Sequence, residues 1–257
     1  MAFLTRPDGA RLYHEEHGDP AAESIVLLEG MGGDIPGWRR NIPHLAVELY
    51  VVAYDLRGNG NSSDPTGSVT MATFADDTIA LLDELGVDRA HVYGQSFGGM
   101  VAIELVLAHP GRVRTLVLAA THCGGQHVLV PARNTVPKGE PWRSLYAPGF
   151  PDEHPEHVAE DLRIGARQPR HPQGGRRQWE AMQAFDVHDR LPAIEVPTLV
   201  LHGTEDRMVA SENAELLASR IPGAELVLLH GAGHLYHSER AEEADDAVLD
   251  FVGRHRR

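Results

Sequence analysis

Short apolar runs separated by amphipathic stretches set the rhythm of this chain. Ile25-Val26-Leu27-Leu28, Tyr50-Val51-Val52-Ala53-Tyr54, Thr115-Leu116-Val117-Leu118-Ala119-Ala120, Thr198-Leu199-Val200-Leu201 and Leu226-Val227-Leu228-Leu229 are bounded by turn residues, as strands buried on both faces are. Arg11 to His17 reads as an opening strand or hairpin. Between the strands the spacing changes. A helix is predicted from Pro36-Gly37-Trp38 to about Leu49. From about Thr70 to Gly86, Phe74, Thr78, Leu81, Leu82 and Leu85 recur at helical intervals, with Asp76, Asp77, Asp83 and Glu84 on other faces. Gly99 to His109 is apolar almost all round, which suits a helix beneath a sheet, and further helices are predicted from about Ser211 and Ser238. This alternation predicts an α/β fold, a mostly parallel central sheet with helices on both faces.

The rhythm stops near Cys123. From Gly124 to Arg190 prolines, histidines and arginines are frequent, no apolar strand occurs, and only Pro155 to about Gln168 and Gly174 to about Phe185 read as helical. The segment suits an inserted cap, or lid, at 124–190 on a core formed by 1–123 and 191–257. Its nine Lys+Arg and nine Asp+Glu balance, so the core carries the whole net charge of -14. A surface of that sign repels polyanions, which argues against nucleic acid or an anionic membrane as partner. One cysteine, Cys123, excludes an intrachain disulfide and reads as a small core residue. No apolar segment suits a signal peptide or a membrane span, so a cytoplasmic location is expected. Sixteen histidines raise the question of a metal, and His154-Pro155-Glu156-His157 has a suggestive spacing. Proline inside it spoils a helical ligand pair, and neither metal nor other cofactor is expected.

The densest chemistry lies in His91-Val92-Tyr93-Gly94-Gln95-Ser96-Phe97-Gly98-Gly99-Met100, a strand that turns directly into a helix with G-x-S-x-G at the bend. A serine hydroxyl is a weak nucleophile and needs exposure, a base and donors for the oxyanion it creates. The bend pushes Ser96 out of the sheet, and the Phe97 N–H lies at a helix N-terminus where amides have no intrahelical acceptor. Two more turns follow predicted strands: His202-Gly203-Thr204-Glu205-Asp206-Arg207 and His230-Gly231-Ala232-Gly233-His234. In a parallel sheet these carboxyl ends share one edge with Ser96, so a serine, an acid and a histidine converge.

With these turns, Glu29-Gly30-Met31-Gly32-Gly33 and Asp55-Leu56-Arg57-Gly58-Asn59-Gly60, the chain resembles the α/β-hydrolase fold superfamily over essentially its whole length. The resemblance implies Ser96 as nucleophile, His234 as base and Asp206 as the acid that orients it, with the backbone N–H groups of Met31 and Phe97 as oxyanion donors. Glu205 is the neighbouring rival acid, and His230 and His237 are the rival bases. Many members carry histidine where this chain has Glu29. A carboxylate there opposes an oxyanion, so Glu29 is expected to point away, to pair with a cation such as Arg57, or to be held protonated; a solvated strand-end glutamate is the plainer alternative. Trp142, Tyr146, Phe150, Trp179, Met182 and Phe185 are candidates either to line an acyl pocket or to pack the cap on the body.

The expectation is a cofactor-independent carboxylic ester hydrolase, acting on a small or medium ester through an acyl-enzyme. Aspartate at the elbow marks the related halide and epoxide hydrolases, and this chain has serine. The amino-terminal pattern also looks somewhat like the 3-oxoadipate enol-lactonase group, so a lactone is the alternative within hydrolysis. A metal-free perhydrolase or haloperoxidase and a slow-turnover ligand receptor are the alternatives outside it.

Overall fold

A computed structural model of the chain describes residues 2–64, 67–131, 139–169 and 171–256. Eight strands, β1 (Ala2–Thr5), β2 (Arg11–His17), β3 (Ser24–Leu28), β4 (Tyr50–Tyr54), β5 (Ala90–Gln95), β6 (Val113–Ala119), β7 (Thr198–Gly203) and β8 (Glu225–Leu229), form one sheet in the order β1-β2-β4-β3-β5-β6-β7-β8. The β1–β2 and β2–β4 pairs are antiparallel and all others parallel, so the carboxyl ends of β3 to β8 share one edge.

Both faces of the sheet are covered, because successive residues of the central strands are apolar and buried. Val26 and Leu28 face one core cluster and Ile25 and Leu27 the other. The helices of the body are α1 (Ile42–Leu45), α2 (Met71–Glu84) and α3 (Phe97–Ala108). After β6 the chain leaves the sheet and forms α4 (Phe150–Glu153), α5 (Pro155–Gly165) and α6 (Pro172–Gln183), then returns for α7 (Glu212–Arg220), α8 (Tyr236–Glu239) and α9 (Ala241–Arg254). The ends of the excursion are tied together: Gly124 bridges Asp186, and the Val187 N–H donates to the Cys123 carbonyl at 2.9 Å.

Two local expectations are corrected. The helix expected from Trp38 to Leu49 is instead a 3-10 turn, Ile35–Trp38, followed by the one-turn α1, since Pro36, Gly37 and Pro43 interrupt regular hydrogen bonding. The helix expected from Ser238 is broken at Arg240 into α8 and α9. Among the described residues no helix is long and apolar enough to cross a membrane.

Candidate active site

Ser96 stands where β5 ends and α3 begins, with φ 53° and ψ -116°. That backbone is strained for a residue with a Cβ, by about 1–3 kcal/mol, and its neighbours hold it. The two flanking glycines make the bend sterically feasible. A Cβ on Gly94 would lie 2.3 Å from the Gly98 carbonyl oxygen, and one on Gly98 only 2.0 Å from that of Leu28. The Ser96 N–H donates to Ala119 O at 2.8 Å, and Thr121 Oγ1 donates to Ser96 O at 2.7 Å, which ties the elbow to β6 and the turn after it.

Three strand-end turns meet here. His234 Nε2 lies 3.1 Å from Ser96 Oγ, and His234 Nδ1 lies 2.8 Å from Asp206 Oδ2. A carboxylate only accepts, so Nδ1 carries the hydrogen; in the neutral ring Nε2 is then free to accept from the Ser96 hydroxyl. Asp206 Oδ1 accepts from the Met208 and Val209 N–H groups at 2.7 and 2.9 Å. Burial pushes the Asp206 carboxyl up, but the charge of His234 and hydrogen bonds from His202 and His234 outweigh it and hold it well below the usual carboxylate range. Burial pulls His234 down, and the charge and hydrogen bond of Asp206 overcome it, leaving the imidazole above its ordinary value of 6.5. Such a chain can take a proton from a hydroxyl and return it to a leaving group.

The rivals are separated in space. Glu205 and His230 are exposed. His237 is buried, and the carboxyl within 4 Å of its ring is that of Glu29, at 3.9 Å.

The Glu29–Gly33 turn lies beside Ser96: a Cβ on Gly30 would come 3.3 Å from Ser96 Cβ. It is clamped from two sides. Asn59 Nδ2 donates to Gly30 O at 3.3 Å, and the Gly32 N–H donates to Gln178 Oε1 at 3.2 Å. Gln178 Nε2 in turn donates to Arg57 O and Asn59 Oδ1, both at 2.9 Å. Met31 lies between the clamped residues. Phe97 is the first residue of α3, so its N–H is a first-turn donor.

Ser96, His234, Met31, Glu29 and Tyr146 are among the residues around a cavity of about 610 Å³. Trp142, Phe150, Trp179, Met182 and Phe185 are not among them. Trp142 packs edge-on to Tyr146, and Phe150 stacks on Tyr146 and meets His154 and His157. Trp179 is 53% exposed, while Phe185 is buried in a core cluster with Met182 packed against it.

Glu29 is buried, and burial above all, with the nearby charge of Asp34, raises its carboxyl to about 7. Arg57 is not its partner. It binds Asp77 through Nε and Nη2, and Asp8 through Nη1 at 2.5 Å. Glu29 is neither solvated nor turned away from the site.

Three functional residues had no sequence signal. His202 Nε2 donates to Val209 O at 3.0 Å, which places its ring 3.2 Å from Asp206 Oδ2. Gln178 is fully buried on the inward face of α6. Glu239 accepts from the Gly233 N–H and the Ala147 N–H, both at 2.8 Å, and so joins the His234 turn to the insertion. His157 is bonded to Ser238 Oγ at 2.8 Å. Among the described residues no group of three or more His, Cys, Asp or Glu is placed to hold a metal.

Comparison with known proteins fits this geometry. The family model described as "alpha/beta hydrolase fold" matches residues 23–168 and 163–241. A protein of Azorhizobium caulinodans named "Putative carbamate hydrolase RutD" is 32% identical over 256 residues, spanning 95% of this chain and 96% of that one. A solved hydrolase from Pseudomonas aeruginosa has 33% identity and a TM-score of 0.85, covering 98% of both chains. An enol-lactonase from Burkholderia xenovorans has 26% identity and a TM-score of 0.86, covering 98% of this chain and 100% of that one.

Proposed function

The chain belongs to the alpha/beta hydrolase fold family, and from that premise we propose that it is a serine hydrolase of small to medium carboxylic esters working through an acyl-enzyme. The observation that carries this reading is the unbroken hydrogen-bonded chain from Ser96 through His234 to Asp206 at a cavity of about 610 Å³. Ser96 Oγ attacks the acyl carbonyl as its proton passes to His234 Nε2, and Asp206 stabilises the imidazolium. The negative charge on the carbonyl oxygen is met by the N–H groups of Met31 and Phe97; losing one such donor typically costs about 2.7–4 kcal/mol of barrier. His234 returns the proton to the departing alcohol, and water repeats the sequence to release the acid. In this reading the chain between β6 and β7 is a cap that closes the site.

A lactone is the second substrate reading, supported by the likeness to the enol-lactonase. A carbamate is a third, from the name of the 32% identical relative. All three present a carbonyl to the same nucleophile, so substrate comparison separates them. The test is hydrolysis of p-nitrophenyl esters of increasing acyl length, beside a lactone and an aryl carbamate, by wild type and Ser96→Ala. Ser96-dependent turnover highest on esters supports the proposal. Folded wild type and Ser96→Ala proteins that are equally inert on all three overturn it.

A further inference from the structure

Glu29 is an unusual group to find beside an oxyanion site. It is 6% exposed, its Oε2 has no hydrogen-bond partner among the described residues, and it borders the cavity that holds Ser96 and His234. The turn is shaped around it. A Cβ on Gly33 would lie 2.4 Å from Glu29 Cγ, and one on Gly37 would lie 3.0 Å from Oε2. Glycine at both positions keeps the carboxyl seated in the wall. A second carboxyl, Asp34, lies on the same wall and accepts from Gln168 Nε2 at 2.5 Å.

Apart from His234, no free cation answers these carboxyls among the described residues around the cavity. Among the described residues around the cavity the one arginine is Arg39, and its guanidinium is bound by Asp161 and Glu160 of α5. The groups facing Glu29 are Asp34 on its own turn, His234 after β8, His237 of α8 at 3.9 Å, and the phenols Tyr93 of β5 and Tyr236. His237 is held neutral, since burial first and the charge of His234 next push it down to about 3. A buried carboxylate without a paired cation is costly to keep ionised unless something else supplies the positive charge.

We infer that the recess beside Glu29 is a substrate subsite for a positively charged amine, and that it rejects a carboxylate at the same place. The inference rests on the serine-hydrolase reading, because the amine must belong to a molecule whose carbonyl reaches Ser96. It extends that reading from an ester in general to an amine-bearing one. An alkylammonium pairs with the carboxylate and neutralises the wall, whereas a carboxylate meets two groups of its own sign.

The test uses n-propylammonium, 1-propanol and butanoate, which share a propyl chain, titrated calorimetrically into wild type and Glu29→Gln. Circular dichroism and melting curves check that the variant folds. Because the Glu29 carboxyl titrates at about 7, titrations are run about one pH unit below and above that value. The expected result is that n-propylammonium binds wild type about tenfold or more tighter than either other probe above that value, since a charge-assisted bond is the stronger kind. The preference should shrink below it, where the carboxyl is protonated, and fall in Glu29→Gln, where Asp34 alone remains. The ranking of the three probes needs only wild type; because His234 also gains charge as pH falls, the pH dependence is read against that of Glu29→Gln. Equal binding of the three probes, tighter butanoate, or an unchanged preference in Glu29→Gln overturns the subsite. p-Nitrophenyl acetate hydrolysis is measured on the same samples with Ser96→Ala as control. Ser96-dependent hydrolysis without amine preference refutes the subsite alone; hydrolysis independent of Ser96 refutes the hydrolase reading, and the substrate role of the subsite with it.

Discussion

Replacing Asp206 with asparagine should reverse the hydrogen bonding of His234. Three N–H donors converge on this buried carboxylate: Met208 and Val209 at 2.7 and 2.9 Å on Oδ1, and His234 at 2.8 Å on Oδ2, with His202 Nε2 3.2 Å from the same oxygen. Asparagine has one acceptor oxygen and one NH₂. The two backbone donors cannot change sides, so they claim the oxygen, and the NH₂ is left facing Nδ1 of His234. To accept from it, the ring must give up its Nδ1 hydrogen and carry one on Nε2 instead. Nε2 then presents N–H to Ser96 Oγ and cannot take its proton. In serine proteases the same reversal lowers kcat about 10⁴-fold, equivalent to about 5.4 kcal/mol of barrier, and a loss of that order is expected here. The assay is steady-state hydrolysis of a p-nitrophenyl ester, with the exposed neighbour substitution Glu205→Gln in parallel. Retention of more than about a tenth of wild-type kcat by Asp206→Asn, or collapse in Glu205→Gln instead, would refute the reasoning.

Other outcomes follow from the same geometry. His234 must be neutral to act, and Asp206 raises it above 6.5 against the pull of burial, so kcat/KM should rise with pH to a half-maximum above 6.5; a midpoint below it contradicts the coupling. Gly98→Ala places a Cβ 2.0 Å from the Leu28 carbonyl oxygen, whereas one on Gly111 meets nothing within 4 Å. Thermal melts should show Gly98→Ala destabilised by about 1–3 kcal/mol or more and Gly111→Ala within about 0.5 kcal/mol of wild type. Gln178→Ala removes the acceptor for the Gly32 N–H and the donor to Arg57 O and Asn59 Oδ1. Denaturant unfolding should show a loss of about 1–3 kcal/mol, and kcat should fall as the oxyanion turn loosens; an unchanged kcat would mean that the clamp does not position that turn.

The parallel strands and the elbow were readable from the chain because their causes are local. An apolar run between turns makes a buried strand, and Gly94 and Gly98 sit where no Cβ fits. The convergence of Ser96, Asp206 and His234 was readable because the carboxyl ends of parallel strands must share an edge. The failures lie where packing decides. In α6 the inward positions are Gly174, Gln178 and Ala181, so apolar patterning overlooked the one polar residue that enters the site. It nominated Trp179, one position round the helix, which faces out. Gly174 lets α6 approach the Arg57–Asn59 turn, where a Cβ would lie 2.4 Å from Gly58 O, and spacing alone does not show that close approach. His202 opens the turn sequence with no role assigned to it, although its ring lies 3.2 Å from Asp206. Whether Glu29 is ionised depends on burial and on the absence of a partner among the described residues, and neither is a property of its neighbours in sequence.

The central claim is that Ser96 becomes covalently acylated during turnover. The direct measurement is intact-protein mass spectrometry after rapid acid quench of wild type mixed with excess p-nitrophenyl ester, followed by peptide mapping, with Ser96→Ala treated identically. The account predicts a mass gain of one acyl group, located on Ser96, formed within the first turnover, lost as substrate is exhausted, and missing from Ser96→Ala. Hydrolysis by the wild type with the acyl group on another residue, or with Ser96→Ala turning over at the wild-type rate, would contradict it.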